Sequence, residues 1–456
     1  MSKNTFHLVS LGCAKNTVDS DSMAQLLIRD GYHAVDNPSH ANVLIVNTCG
    51  FIGPAKQESL NVLRELAEGK KNNQVLIAAG CLTQRYGVEV AEKVPGIDGV
   101  LGTRRWMDIV QVVRELRKSP HPEPLYHLPD VKTVGADEHE ALRASVAGTS
   151  AYVKIADGCR RPCAFCAIPL IKGTAVSRPV DLILDEARRL RDAGVRELIL
   201  IAQDTTDYGH DLGMKDGLAI LLEQLTTSVP DMDWIRIMYA YPGYVTDRLI
   251  DVMASSRQVL PYLDMPLQHA HPKTLYRMRR PSSIDWVHRT LGKMRERIPN
   301  PSTGSGRRLA IRTTFIVGYP GETEEEYQAL VDFVREIRFD RVGTFQFSFE
   351  PGTTSEPLGD PIPAEVKQAR YEQLMELQQG ISMQVNQSYV GKTLDVLVEG
   401  RDKGIAIGRS YRDAPEIDGM VFIEGEAVIG DIVPVKITGA MAYDLTGVPA
   451  SQLIQL

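Results

Sequence analysis

The sequence contains no apolar run approaching the roughly 18 residues of a membrane-crossing helix. Its first ten residues, Met-Ser-Lys-Asn-Thr-Phe-His-Leu-Val-Ser, lack the long apolar stretch of a secretory signal. The expected location is the cytoplasm, away from any membrane. An excess of positive charge is also missing. Lys and Arg number 51 against 58 Asp and Glu, a formal charge of −7. Phosphate-binding proteins are usually basic overall or in one domain, so nucleic acid leads as substrate only if a basic patch appears. There is no low-complexity tract and no repeat, which excludes solenoids and propellers. Cysteine is scarce and confined, with six residues in 456 and none beyond position 166. A reducing cytosol argues against disulfides, and a chain of this length needs none to hold its core. What is present is ordinary: 43% hydrophobic and 24% charged residues, the balance of a globular protein rather than a disordered one.

The length suggests about three domains. Residues 1–118 alternate strands and helices. Strand-like runs Phe6–Leu11, Ala41–Val46 and Val75–Ala79 are each followed by a cysteine and a helical stripe. Val18, Met23, Leu26 and Leu27 mark the first stripe. Such a succession predicts a parallel, Rossmann-like α/β sheet. Cys13, Cys49 and Cys81 fall just past the carboxyl ends of their strands, the edge where open α/β sheets bind ligands. Separations of 36 and 32 residues thus become short distances in space. Residues 119–147, with Ser119-Pro120-His121-Pro122-Glu123-Pro124, predict a linker. Residues 148–378 carry about six further βα units, the pattern of a parallel barrel or an open part of one, with its site at the carboxyl ends of the strands. Residues 379–456 begin in a helix reaching Gln387. Short strands separated by Gly and Asp turns follow, predicting a small five-stranded all-β barrel.

Cys159-Arg160-Arg161-Pro162-Cys163-Ala164-Phe165-Cys166 places three thiols on one short loop. Structural zinc usually takes four ligands in two pairs. Three cysteines without a fourth fit a [4Fe–4S] cluster that keeps one iron open for a small molecule. This Cys-x3-Cys-x2-Cys spacing resembles the radical S-adenosylmethionine (SAM) superfamily. The resemblance implies that the open iron chelates SAM. An electron from the cluster then splits it into methionine and a 5′-deoxyadenosyl radical that removes hydrogen from unactivated carbon. It also implies SAM contacts from Gly318, Gly321 and Glu322 in Thr313–Thr323, with Gln203 and Asp204 as weaker candidates. His269 reads as a packed or capping histidine. No catalytic side chain beyond the cluster ligands is expected.

The two cysteine triplets taken together, with the small C-terminal barrel, resemble the methylthiotransferases over nearly the whole chain. The matching segments are Ser10-Leu11-Gly12-Cys13-Ala14-Lys15-Asn16, Asn47-Thr48-Cys49-Gly50-Phe51-Ile52 and Ala79-Gly80-Cys81. In that family the C-terminal module is the TRAM domain. Cys13, Cys49 and Cys81 would hold a second [4Fe–4S] cluster carrying the sulfur to be inserted. An electron donor and a sulfur donor are implied as partners, and a monomer is expected. The family divides into enzymes acting on tRNA adenosines and one acting on an aspartate of small-subunit ribosomal protein twelve. Residues 390–456 hold six Lys and Arg against ten Asp and Glu, a net −4. That suits a basic protein loop better than phosphate. Ile407–Gly419 and Gln203-Asp204-Thr205-Thr206 resemble the protein-modifying branch. Asp413, Glu416 and Asp418 are the expected contacts. A tRNA methylthiotransferase and a non-catalytic iron–sulfur carrier are the alternatives.

Overall fold

The structure, a computed structural model, describes residues 4–118, 122–135, 141–298 and 308–455. The first unit is a six-stranded, all-parallel sheet of β1 (Thr5–Ser10), β2 (His33–Ala34), β3 (Val43–Thr48), β4 (Val75–Gly80), β5 (Gly99–Gly102) and β6 (Leu125–His127). Their spatial order is β2-β1-β3-β4-β5-β6. Every residue of β3 is buried, which is why Val43–Val46 reads as a continuous apolar run rather than an alternation. Helices α1 (Ala14–Arg29), α2 (Gly53–Glu68), α3 (Cys81–Lys93) and α4 (Ile109–Leu116) connect and cover the strands. Val18, Met23, Leu26 and Leu27 are buried as the stripe predicts. Asn16, Asp19, Ser20 and Ser22 of the same helix are buried as well: Asn16 and Ser20 bond to the ends of β1 and β3, while Asp19 and Ser22 meet the second unit.

The second unit is an arc. β7 (Ala144–Ala147), β8 (Ser150–Lys154), β11 (Glu197–Ile201) and β12 (Trp234–Ile237) form one sheet. The short antiparallel pair β9 (Ala156–Asp157) and β10 (Val176–Ser177) stands beside it. β13 (Tyr262–Asp264), β14 (Ala310–Val317) and β15 (Arg341–Gln346) form the next sheet. The bridge Ile235–Val259 joins the two. All but the β7–β8 pairing within these two sheets are parallel. Helices α5 (Ile168–Lys172), α6 (Val180–Asp192), α7 (Gly217–Ser228), α8 (Asp247–Ser255), α9 (Pro272–Arg277), α10 (Ile284–Arg297), α11 (Glu324–Ile337) and α12 (Ala364–Gln387) follow in chain order.

Of the expected linker, Ser119-Pro120-His121 and residues 136–140 lie outside the described residues. The remainder is not merely connecting chain. β6 extends the first sheet and β7 the second. Strands of three and four residues are too short to show a periodicity.

The C-terminal unit closes into a barrel of β16 (Thr393–Asp402), β17 (Ile405–Ser410), β18 (Val421–Glu424), β19 (Ile432–Ala440) and β20 (Leu445–Pro449), in the order β16-β17-β18-β20-β19. Alternation along the arc strands explains where it sits. Leu198, Leu200, Ile235, Ile237 and Ile311 pack with the surrounding helices. Ile199, Ile201, Trp234, Tyr262 and Ala310 pack with Val396, Leu397, Val421 and Val435 of the barrel. Charges bind the same contact. Arg409 donates to Glu197 at 2.6 Å, and Glu197 also accepts from Arg236 at 2.7 Å. This contact corrects the reading of the acidic turn. Asp413 is 2% exposed and pairs with Arg341 at 2.6 Å. The Asp418 side chain is buried, accepts from Tyr262 Oη at 2.6 Å and lies 3.3 Å from Arg312. Neither acid faces a partner. Glu416 alone of the three is exposed.

Candidate functional site

Each cysteine of the first triplet is placed by a strand end. Cys13 caps α1, its carbonyl accepting from Asn16 N at 2.7 Å and Thr17 N at 3.1 Å. Cys49 follows β3, and Ser59 Oγ accepts from its N–H at 3.0 Å. Cys81 opens α3. Gly12 has φ +94°, and a Cβ there would lie 3.0 Å from Cys49 Sγ. The glycine lets two thiol-bearing turns approach.

The second triplet is held by the arc. Cys159 N donates to Gly173 O at 3.0 Å, and Cys166 N to Cys163 O at 3.2 Å. Arg161 N reaches Cys159 Sγ at 3.4 Å, and Arg280 Nη1 reaches Cys163 Sγ at 3.5 Å.

All six thiols line one cavity of about 430 Å³, where the first unit meets the carboxyl ends of the arc strands. Gln203, Tyr239, Tyr241, Pro266 and Gln268 complete its arc side, and the half-exposed Phe51 and Phe345 also line it. Among the described residues the charged ones on its wall are Lys15, Arg161, Lys172 and Arg280, with no Asp or Glu. Burial pushes Cys81 and Cys166 up to about 12 and Cys159 up to about 11. Burial opposes ionisation of Cys13 too, but Lys15, Asn16 N–H and Lys172 outweigh it and lower its pKa. By surface area Cys13 is exposed and the other five cysteines are partly exposed.

Beneath this cavity lies a buried ion cluster. Asp19 on α1 pairs with Arg143 at 2.5 Å, Lys154 at 2.5 Å and Lys172 at 2.8 Å. Asp157 pairs with the same three at 3.0, 3.2 and 3.1 Å. Burial alone would raise Asp19, but the three cations outweigh it and hold it ionised. The first unit is locked to the arc here. Arg85 adds a second lock through Glu350 at 2.8 Å.

The donor set fits iron–sulfur chemistry. Soft thiolates select such clusters over hard cations. Among the described residues no three His, Cys, Asp or Glu converge on a single ion. A cluster spreads its ligands around a cube, so it does not require that. Gln203 Oε1 is buried without a hydrogen-bond partner, an acceptor waiting on the cavity wall for a ligand donor.

The other sequence candidates lie elsewhere. Gly318, Gly321 and Glu322 do not line the cavity. Glu322 accepts from Gly318 N at 3.0 Å and pairs with Arg370 at 2.7 Å, so this turn ties α12 to the arc. A Cβ on Gly318 would lie 2.4 Å from Lys367 Cγ. Asp204 is engaged by Arg161 at 2.6 Å. His269 is buried, its Nδ1 accepting from His271 N at 2.9 Å, as a packed histidine does. Sequence reasoning missed Lys15, Tyr239, Tyr241, Lys172, Gln268 and Arg280. Lys15 stood inside a quoted motif; the rest have no local signal.

Three family models match the chain. "Uncharacterized protein family UPF0004" covers residues 5–102, "Radical SAM superfamily" residues 153–334 and "TRAM domain" residues 390–449. A protein of Roseiflexus sp. (strain RS-1), named ribosomal protein uS12 methylthiotransferase RimO, is 46% identical over 97% of this chain and 96% of its own length. The chain belongs to the RimO family of radical SAM methylthiotransferases. Another member, from Chloroflexus aurantiacus, is 47% identical over 97% of this chain and 99% of its own. Among solved structures, the radical SAM methyltransferase TsrM from Kitasatospora setae, with cobalamin and a [4Fe–4S] cluster bound, superposes with TM-score 0.56 at 12% identity. The match covers 89% of this chain and 77% of TsrM, and shows the shared fold. As a radical SAM enzyme of this family, the protein uses SAM and [4Fe–4S] clusters. Among the described residues no helix is long and apolar enough to cross a membrane.

Proposed function

We propose that the protein inserts sulfur and a methyl group at the β-carbon of an aspartate of small-subunit ribosomal protein twelve (uS12), giving 3-methylthioaspartate. The observation that carries this reading is that both cysteine triplets open onto one cavity. A hydrogen-abstracting centre and a sulfur carrier can then act on one substrate atom. Cys159, Cys163 and Cys166 would hold the SAM-cleaving cluster, and Cys13, Cys49 and Cys81 the second one. When bound, the first cluster and SAM supply the adenosyl group that removes a hydrogen atom from unactivated carbon. The thiols would hold the two centres at one cavity, Gln203 Oε1 would accept from a ligand donor, and the apolar wall limits water. Phe51 and Phe345 offer apolar surface to an incoming protein loop.

Charge favours a protein over RNA. With the inward-facing Arg409, Arg412, Asp413 and Asp418 set aside, residues 390–456 retain four Lys and Arg against eight Asp and Glu. The surface stays at −4, a poor match to phosphate and a good one to a basic protein. The protein acts in the cytoplasm as a monomer and draws on a separate electron donor and sulfur donor. Mass spectrometry of uS12 and of tRNA, from cells with and without this gene, tests the reading. A gene-dependent mass gain on uS12 supports it; a gain on tRNA alone refutes it.

A further inference from the structure

Among the described residues four cations line the cavity, and three are occupied. Arg161 is paired with Asp204, Lys172 with Asp19 and Asp157, and Arg280 donates to Pro266 O and Cys163 Sγ. Lys15 is different. Its Nζ lies 3.2 Å from the centroid of the Tyr239 ring, and among the described residues it has no acidic partner. A ring face attracts an ammonium but accepts little from its three N–H donors. Tyr239 sits at φ +62°, a left-handed conformation that non-glycine residues rarely adopt. Its N–H donates to Asp264 Oδ2 at 3.0 Å, and its carbonyl accepts from Thr205 N at 3.1 Å. Strain of this kind survives where surrounding structure enforces it, commonly at functional sites.

We propose that Lys15 is the specificity-determining anchor for the side-chain carboxylate of the substrate aspartate; this rests on the uS12 reading above. Among the described residues the cavity wall offers positive charge and no acid; Lys15 shares its charge with the Cys13 thiol, whose pKa it lowers, and keeps its N–H donors for a bound anion. A carboxylate matches a compact ammonium with free donors. The carboxylate carbon is bonded directly to the β-carbon that is modified. Fixing it at Lys15, two residues from Cys13, therefore sets the reacting carbon beside the sulfur-carrying triplet. A substrate with asparagine in place of aspartate has the same shape without the charge.

SAM also carries a carboxylate, and the test separates the two sources. Reconstitute the holoenzyme without oxygen and titrate it with uS12 in the presence of SAM but without reductant, so that no turnover occurs. Compare wild type, Lys15→Gln and Lys15→Arg, and compare uS12 with its target aspartate changed to asparagine. Loss of a charge-assisted contact should weaken uS12 binding to Lys15→Gln about tenfold or more. Lys15→Arg should retain more of it. The asparagine protein should bind wild type as weakly as it binds Lys15→Gln, since the two changes remove one interaction. SAM affinity should be unchanged, and the proteins are compared at matched iron content because Lys15 also lowers the Cys13 pKa.

Wild-type enzyme binding the asparagine protein as tightly as uS12 overturns the assignment, whatever the variants do. So does a Lys15→Gln variant that keeps its uS12 affinity and loses SAM affinity instead; the carboxylate served is then that of SAM. Wild type that neither binds nor modifies uS12 sinks the substrate reading itself, a result distinct from either.

Discussion

Replacing Asp413 by alanine should unfasten the C-terminal barrel rather than abolish a docking contact. The Asp413–Arg341 pair is 2.6 Å long, with side chains 2% and 6% exposed. Asp413 also accepts from Ser410 Oγ at 2.8 Å. Removing the carboxylate leaves Arg341 buried without its counter-ion, which costs about 3–5 kcal/mol. With a urea slope of about 3 kcal/mol/M, the unfolding midpoint of the barrel contact falls by about 1–1.7 M. Trp234 packs in the core shared with the barrel, so tryptophan fluorescence of the apo-protein during urea titration reads the change. Changing Arg341 to methionine in the same chain should recover part of the loss, because a buried pair replaced by apolar groups is often neutral. Glu416→Lys on the same turn is exposed and should stay within about 0.5 kcal/mol of wild type.

The pH dependence has a definite sign. Burial would raise Asp413, but Arg341 and Arg412 outweigh it and hold its pKa below the ordinary 3.8. A carboxylate with a depressed folded pKa stabilises fully above its unfolded value and loses that contribution as pH falls through the folded one. The gap between wild type and Asp413→Ala should therefore narrow only below pH 3.8. An Asp413→Ala protein that unfolds like wild type yet associates more slowly with uS12 would refute the argument and restore the acid to the surface.

Three further outcomes are expected. Reconstituted protein should carry about eight irons, and the Cys159, Cys163, Cys166 triple alanine variant about four; iron assay decides, and an unchanged count rules out two sites. Cys13→Ala should still cleave SAM to 5′-deoxyadenosine while giving no methylthio product on uS12, checked by chromatography and mass spectrometry. Asp19→Asn leaves three buried cations with one carboxylate and should lower stability by about 3–5 kcal/mol; faster proteolysis between the first unit and the arc would show it.

Much of the site was legible because its cysteines are tied to local structure. A strand ending in Gly-Cys before a helical stripe places the thiol at the sheet edge without further knowledge, and Cys13 and Cys81 follow that rule. The Cys159–Cys166 loop declares itself by spacing alone. The five-stranded barrel was legible from its turn residues. Direction was not legible. Charge counting found the acidic turn but could not show that Asp413 and Asp418 point into the arc, because their partners Arg341 and Arg312 lie far away in sequence. Gly318–Glu322 looks like a cofactor turn locally; Arg370, 48 residues on, turns it into a helix anchor. Lys15 and Tyr239 gain meaning only when the first unit closes on the arc.

That closure explains a feature of α1 that periodicity alone misreads. Asp19 and Ser22 look like a solvated face, yet both are buried against Arg143 of the arc. Hydrophobic residues would have buried this face at less electrostatic cost, since desolvating ions is expensive. The cluster formed there, Asp19 and Asp157 with Arg143, Lys154 and Lys172, has three positive charges against two negative ones. Its excess is positive, and Lys172 carries it to the cavity wall, where it acts on Cys81 and Cys13. Thiolates that must ionise to hold a cluster then meet compensating charge despite the burial that raises their pKa values. An apolar interface could lock the two units together, but it would remove the Lys172 charge that opposes the burial of Cys81 and helps to lower Cys13. Docking of the units and preparation of the site thus draw on the same five side chains.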